Sequence, residues 1–135
     1  MQRQNIIDLS LIELENLCLE FNLKSFKAKQ IWNWIYCFGK TNFQEMTNLD
    51  KNTRKLLDDC SFIYRPKINN VHISKDGTIK WLLEMDDKSL IETVFIPQGK
   101  RGTICISSQV GCTLNCTFCN TGTQKLVRNL TAYEI

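Results

Sequence analysis

No stretch of this sequence approaches the ~20 consecutive apolar residues that a membrane-spanning helix needs. Residues 1–17 carry Asp8, Glu13 and Glu15 among their apolar positions, so the apolar core of a secretory signal is missing. No internal repeat and no low-complexity tract is present, which sets aside repeat arrays and compositionally driven disorder. Charge of one sign is also scarce. Seventeen Lys and Arg stand against 14 Asp and Glu, a net +3. That balance is compatible with a nucleic-acid partner without demonstrating one. What is abundant is cysteine, at seven residues in 135, yet four of them fall between 105 and 119. A secreted disulfide scaffold would spread them, so reduced thiols in the cytoplasm are expected. Hydrophobic and charged fractions of 43% and 23% are those of a globular chain. The length allows one ordinary domain, or a small one and part of another.

Residues 1–62 read as helical. Ser10 and Glu13 form an S-x-x-E capping box, and Leu14, Leu17, Cys18 and Phe21 follow at helical spacing. A second helix is expected from about Lys27, with Ala28, Ile31, Trp32, Ile35 and Phe38 inward and Gly39 at its C-terminal stop. A third begins near Asp50, with Leu56, Leu57 and Cys60 inward. Cys18, Cys37 and Cys60 read as small buried hydrophobes. Lys24, Lys27, Lys29, Lys51, Arg54 and Lys55 are placed on the outside. Such a face is either simply solvated or the contact surface for an RNA.

From Lys67 the pattern changes to period two. Val71 and Ile73 alternate, Asp76-Gly77 marks a tight hairpin, and Ile79, Trp81, Leu83 and Met85 alternate again. Leu90–Ile96 is a third strand, which Pro97 is expected to close. Gln98–Gly102 reads as a loop and Thr103–Ser107 as a strand entering the cysteine-rich segment. Thr131 and Glu134 form T-x-x-E, a helix-start signal.

Cys112, Cys116 and Cys119 stand as C-x-x-x-C-x-x-C, with Gly111 before the first and Phe118 before the last. Three thiolates can hold three corners of a 4Fe–4S cluster and leave the fourth iron open. The alternative is structural zinc, which wants four closed ligands and could recruit Cys105 or His72. Zinc motifs usually come as two C-x-x-C pairs, and only one pair, Cys116 and Cys119, is here. Glu92 lies in a strand apolar on both faces. It is either a buried carboxylate suited to general-base work, or a rim residue paired with a lysine or arginine. Cys105 is either a buried strand cysteine or a redox thiol.

ETVFIP at 92–97, CISSQVGCTLNCTFC at 105–119 and RNLTAYEI at 128–135 together resemble the bacterial dual-specificity adenine methyltransferases of the radical S-adenosylmethionine (SAM) superfamily, the RlmN family. FKAKQIWNWIY at 26–36 and MTNLDKNTRKLL at 46–57 resemble that family's N-terminal accessory domain. The resemblance implies an α+β chain: a helical RNA-contacting domain at 1–62, then at 63–135 a β-hairpin segment and the first β/α unit of a truncated radical-SAM barrel. It implies a 4Fe–4S cluster on Cys112, Cys116 and Cys119, with SAM on the open iron, and methylation of adenine carbon 2 in 23S rRNA and tRNA. Glu92 would be the proton acceptor. Cys105 would form a disulfide with a methyl-carrying cysteine. An external electron donor, no membrane, and a monomeric complete enzyme also follow from the resemblance.

None of Cys18, Cys37 and Cys60 matches the methyl carrier, which in the family lies beyond position 135. The chain is therefore expected to be an N-terminal fragment, inactive alone, with exposed strand edges. Ser107–Gly111 looks more like the carbon-2 group than the carbon-8 sister family. The competing readings are a non-catalytic RNA-binding module and a small zinc-binding domain.

Overall fold

The computed structural model describes residues 3–114, 117 and 123–135, which fall into two compact units, Met1–Arg65 and Pro66–Ile135. In the first unit the chain pairs β1 (Gln4–Asn5) in parallel with β2 (Ser61–Phe62). Between them come α1 (Leu11–Glu20), α2 (Phe26–Tyr36) and α3 (Lys51–Cys60). Helices of 10, 11 and 10 residues are too short to persist alone, so packing has to hold them. Leu14, Leu17 and Cys18 of α1 meet Ala28, Ile31 and Ile35 of α2, and Ile6, Phe43, Met46, Leu49 and Leu57 complete the core.

Local capping explains the helix starts. Ser10 and Glu13 form the expected reciprocal box on α1. Asp50 caps α3 by accepting from the Thr53 amide at 2.9 Å. Lys27 departs from the expected solvated face. Its ammonium bonds the Asp50 carboxylate and, at 2.6 Å, the Thr53 hydroxyl, tying α2 to the start of α3. Lys27, together with the Thr53 amide, holds the Asp50 carboxyl well below the usual carboxylate range. Phe38 is also corrected: α2 ends at Tyr36, so Phe38 falls in the exit turn ahead of Gly39 (φ +63°) and is 63% exposed. Cys37 is exposed and Cys60 half-buried, leaving Cys18 as the buried thiol of the three.

The second unit is built on a four-stranded antiparallel meander, β3 (Lys67–Ile73), β4 (Ile79–Glu84), β5 (Leu90–Gln98) and β6 (Arg101–Cys105), in that spatial order. The Asp76-Gly77 turn forms as expected, with Gly77 at φ +83°. Pro97 does not end β5. Beyond Phe95 the strand has lost β4 as a neighbour, so a missing N–H is tolerated and Pro97 pairs with Gly102. The loop expected at 98–102 shrinks to Gly99 and Lys100. A last antiparallel pair joins β7 (Gln109–Val110) to β8 (Arg128–Asn129). The Thr131 amide and hydroxyl both donate to the Glu134 carboxylate, one half of a capping box, but around a single turn rather than a regular helix. Every named strand pair in this unit is antiparallel, and among the described residues no parallel β/α unit is assembled.

Candidate functional site

Period-two geometry decides which side chains share a face. Leu82 lies opposite Glu92, Lys80 opposite Val94, and Val94 opposite Cys105. Lys80, Leu82, Glu92, Val94 and Cys105 therefore occupy one side of the sheet. Leu82, Glu92, Val94 and Cys105 border a cavity of about 390 Å³, which Leu90, Ser107, Gln109, Gly111 and Gln124 also line. Glu92, Cys105 and the foot of the cysteine loop, separate in sequence, meet there.

Glu92 is not buried. Its side chain is half-exposed, and its Oε1 lies 2.9 Å from Lys80 Nζ. Of the two readings left by the sequence, the paired carboxylate is the one observed. The Ser107 hydroxyl donates to the Glu92 carbonyl at 2.8 Å, which fastens the chain leaving β6 against β5 at this residue. Cys105 is likewise an exposed free thiol, not a buried strand cysteine.

The cysteine loop is anchored at its foot. Gly111 has φ +76°, and a Cβ added there would lie 2.1 Å from the Lys125 carbonyl oxygen, so only glycine fits. The Cys112 amide donates to the Gln124 carbonyl at 3.2 Å. The Leu114 amide donates to Cys112 Sγ at 3.3 Å. A free thiol that accepts an amide N–H, in a loop closed by a glycine that tolerates no side chain, suits a metal-bound thiolate. Cys116, Phe118 and Cys119 lie outside the described residues. Among the described residues no three His, Cys, Asp or Glu side chains converge as metal ligands, and His72 lies on exposed β3 opposite Lys80.

Arg128 is a residue the sequence did not single out. Its guanidinium bonds Asp87 at 2.6 Å and both oxygens of Glu134 at 2.8 Å. It thereby clasps β8 to the β4–β5 turn and to the turn at Thr131. Arg128 lowers the Glu134 carboxyl to about 2 and holds Asp87 well below its usual range. Only the Thr131 and Glu134 half of this network had a local signal. Lys80 was missed too, although the alternation of β4 and β5 about the Asp86–Ser89 turn sets it diagonal to Glu92.

Known proteins bear on this arrangement. The family profile described as "Ribosomal RNA large subunit methyltransferase N-terminal domain" matches residues 4–63. A dual-specificity RNA methyltransferase RlmN from Rhizorhabdus wittichii is 53% identical over 90% of the chain, and one from Rhodospirillum rubrum is 49% identical over 97%. The chain spans 30% and 31% of those two relatives. A crystal structure of a radical SAM methyltransferase from Sphaerobacter thermophilus superposes with a TM-score of 0.87 at 36% identity. That match covers 97% of this chain and 39% of that one. With a family N-terminal domain at 4–63 and close relatives along nearly all of its length, the chain belongs to the RlmN family of radical-SAM RNA methyltransferases, as the N-terminal portion of such a protein.

Proposed function

We propose that these residues are the front part of an enzyme that methylates carbon 2 of adenine in 23S rRNA and tRNA, in the cytoplasm, with an external electron donor. The observation that carries the reading is the shared cavity: Glu92, Cys105 and Gly111, next to Cys112, line one space. In this reading residues 1–62 contact RNA, and 63–135 supply the sheet and the opening of the radical-SAM barrel.

Cys112, Cys116 and Cys119 would hold a 4Fe–4S cluster. Bound there with SAM, the cluster supplies one-electron chemistry that reaches a ring carbon with no lone pair to offer. Glu92 accepts the ring proton. Lys80 engages Oε1, which leaves Oε2 as the accepting oxygen and keeps the carboxylate oriented. Cys105, exposed at the end of β6, forms the product-releasing disulfide with a methyl-carrying cysteine outside these 135 residues. Activity on RNA belongs to a protein of the length of the relatives, and the 135 residues alone are expected to be inactive.

The test is anaerobic reconstitution of the chain with iron and sulfide. About four of each per chain, with brown charge-transfer absorption, supports the cluster assignment. Zinc without a visible band overturns it in favour of a zinc module. Adenine methylation by the purified 135 residues, given SAM and reductant, would overturn the assignment of activity to the longer protein.

A further inference from the structure

Residues 21–44 carry Lys24, Lys27, Lys29 and Lys40 and not one Asp or Glu, while seven aromatic side chains are interleaved among them. Two of these lysines are neutralised, Lys27 by Asp50 and Lys40 by Glu45. Lys24 and Lys29 are exposed and make no ion pair among the described residues.

On α2, Lys29, Trp32 and Tyr36 recur at i, i+3 and i+7 and so form one stripe beside the core-facing Ala28, Ile31 and Ile35. The Trp32 and Tyr36 rings pack against each other, tilted by 42°, with centroids 4.3 Å apart. Trp32 is half-buried against the core and holds its partner in place, while Tyr36 remains 48% exposed. The result is a fixed aromatic surface open to solvent, with an uncompensated cation one turn away. Aromatic rings beside cations are the combination that takes unpaired bases by stacking and their phosphates by charge. The second aromatic pair, Trp34 and Phe38, is less suited. Its neighbouring lysines are the neutralised ones, and the Trp34 indole N–H is engaged by Asn48 at 2.6 Å.

We infer that the Lys29–Trp32–Tyr36 stripe is a stacking site for an unpaired base of a single-stranded RNA segment, with Lys29 on the adjacent phosphate. This rests on the reading of residues 1–62 as RNA-contacting, and it moves the contact from the lysines in general to one side of α2.

The experiment is fluorescence anisotropy of the 135-residue chain with a labelled single-stranded oligoribonucleotide, repeated across salt concentrations and with the matching duplex. Tyr36→Leu should weaken single-strand binding about tenfold with the salt slope unchanged, and Tyr36→Phe should retain binding. Lys29→Gln should lower the salt slope by roughly 0.7. Salt-dependent binding that Tyr36→Leu leaves intact overturns the stacking site but keeps the RNA-contacting reading. No binding at all overturns both. Self-association abolished by Tyr36→Leu would assign the stripe to a second copy and overturn the proposal.

Discussion

Lys80 on β4 reaches diagonally across to β5 and sets its Nζ 2.9 Å from Glu92 Oε1, with both side chains about half in water. Ion pairs this exposed contribute little to stability, because solvent screens them and two flexible side chains must be ordered. Lys80→Met should therefore shift the urea unfolding free energy by less than about 1 kcal/mol. A loss above ~2 kcal/mol would mean that the pair supports the sheet instead of merely orienting the carboxylate.

Gly111→Ala should be severe out of proportion to its size. The added methyl meets the Lys125 carbonyl at 2.1 Å, and the backbone is in the left-handed region. Iron and sulfide retained after reconstitution should fall well below the parent chain. Equal retention would show that the foot of the loop is not needed to gather the cysteines.

Leu57 of α3 is 1% exposed and packs in the helical core. Leu57→Ala should cost about 3 kcal/mol, the lost transfer energy plus the cavity left behind. Chemical denaturation measures this directly, and a change under ~1 kcal/mol would mean that the three short helices do not depend on a common core.

The Glu134 carboxyl is lowered from its ordinary value near 4.5 to about 2 by the Arg128 guanidinium. A depressed carboxylate contributes stability in full above its unfolded value and loses it as pH falls through the folded one. The clasp should thus hold down to about pH 4.5 and weaken between there and about pH 2. A carbon-detected NMR titration should place the Glu134 midpoint near 2, and Glu134→Gln should reduce the stability slope in that window, leaving the part due to Asp50 and Asp87. A midpoint near 4.5 would mean that the clasp is not formed in solution.

Thiol labelling should separate the cysteines. Cys37 and Cys105 are exposed, whereas burial around Cys18 pushes its thiol up and disfavours the reactive thiolate. Mass spectrometry after brief alkylation near pH 8 should find Cys37 and Cys105 modified and Cys18 intact until the chain is unfolded. Early modification of Cys18 would contradict the packing of α1 on α2.

Legibility in the sequence followed the range of the interaction. The Ser10 and Glu13 box, the Ala28, Ile31 and Ile35 face and the Asp76-Gly77 turn depend on neighbours within four residues, and each was readable. Pro97 and Phe38 were misread because their fates depend on where β4 begins and where α2 stops. The partners of Lys27 and Arg128 stand 23 and 41 residues away, at Asp50 and Asp87, beyond any local pattern. Spacing alone suggested a three-cysteine metal loop. It could not reveal that Glu92 and Cys105 face a common cavity, since that requires the register of three strands.

The parallel contact of β1 with β2 also sets an order of events during synthesis. Gln4 and Asn5 have no strand partner until Ser61 and Phe62 have been made, and Arg3 must wait for the Ser61 carbonyl, to which it donates at 2.6 Å. At ~5–20 residues per second, the intervening helices have several seconds as a tethered, incomplete assembly. Arrival of the second strand then closes the unit as a ring, so a nascent chain arrested before residue 61 should remain protease-sensitive throughout its helical segment.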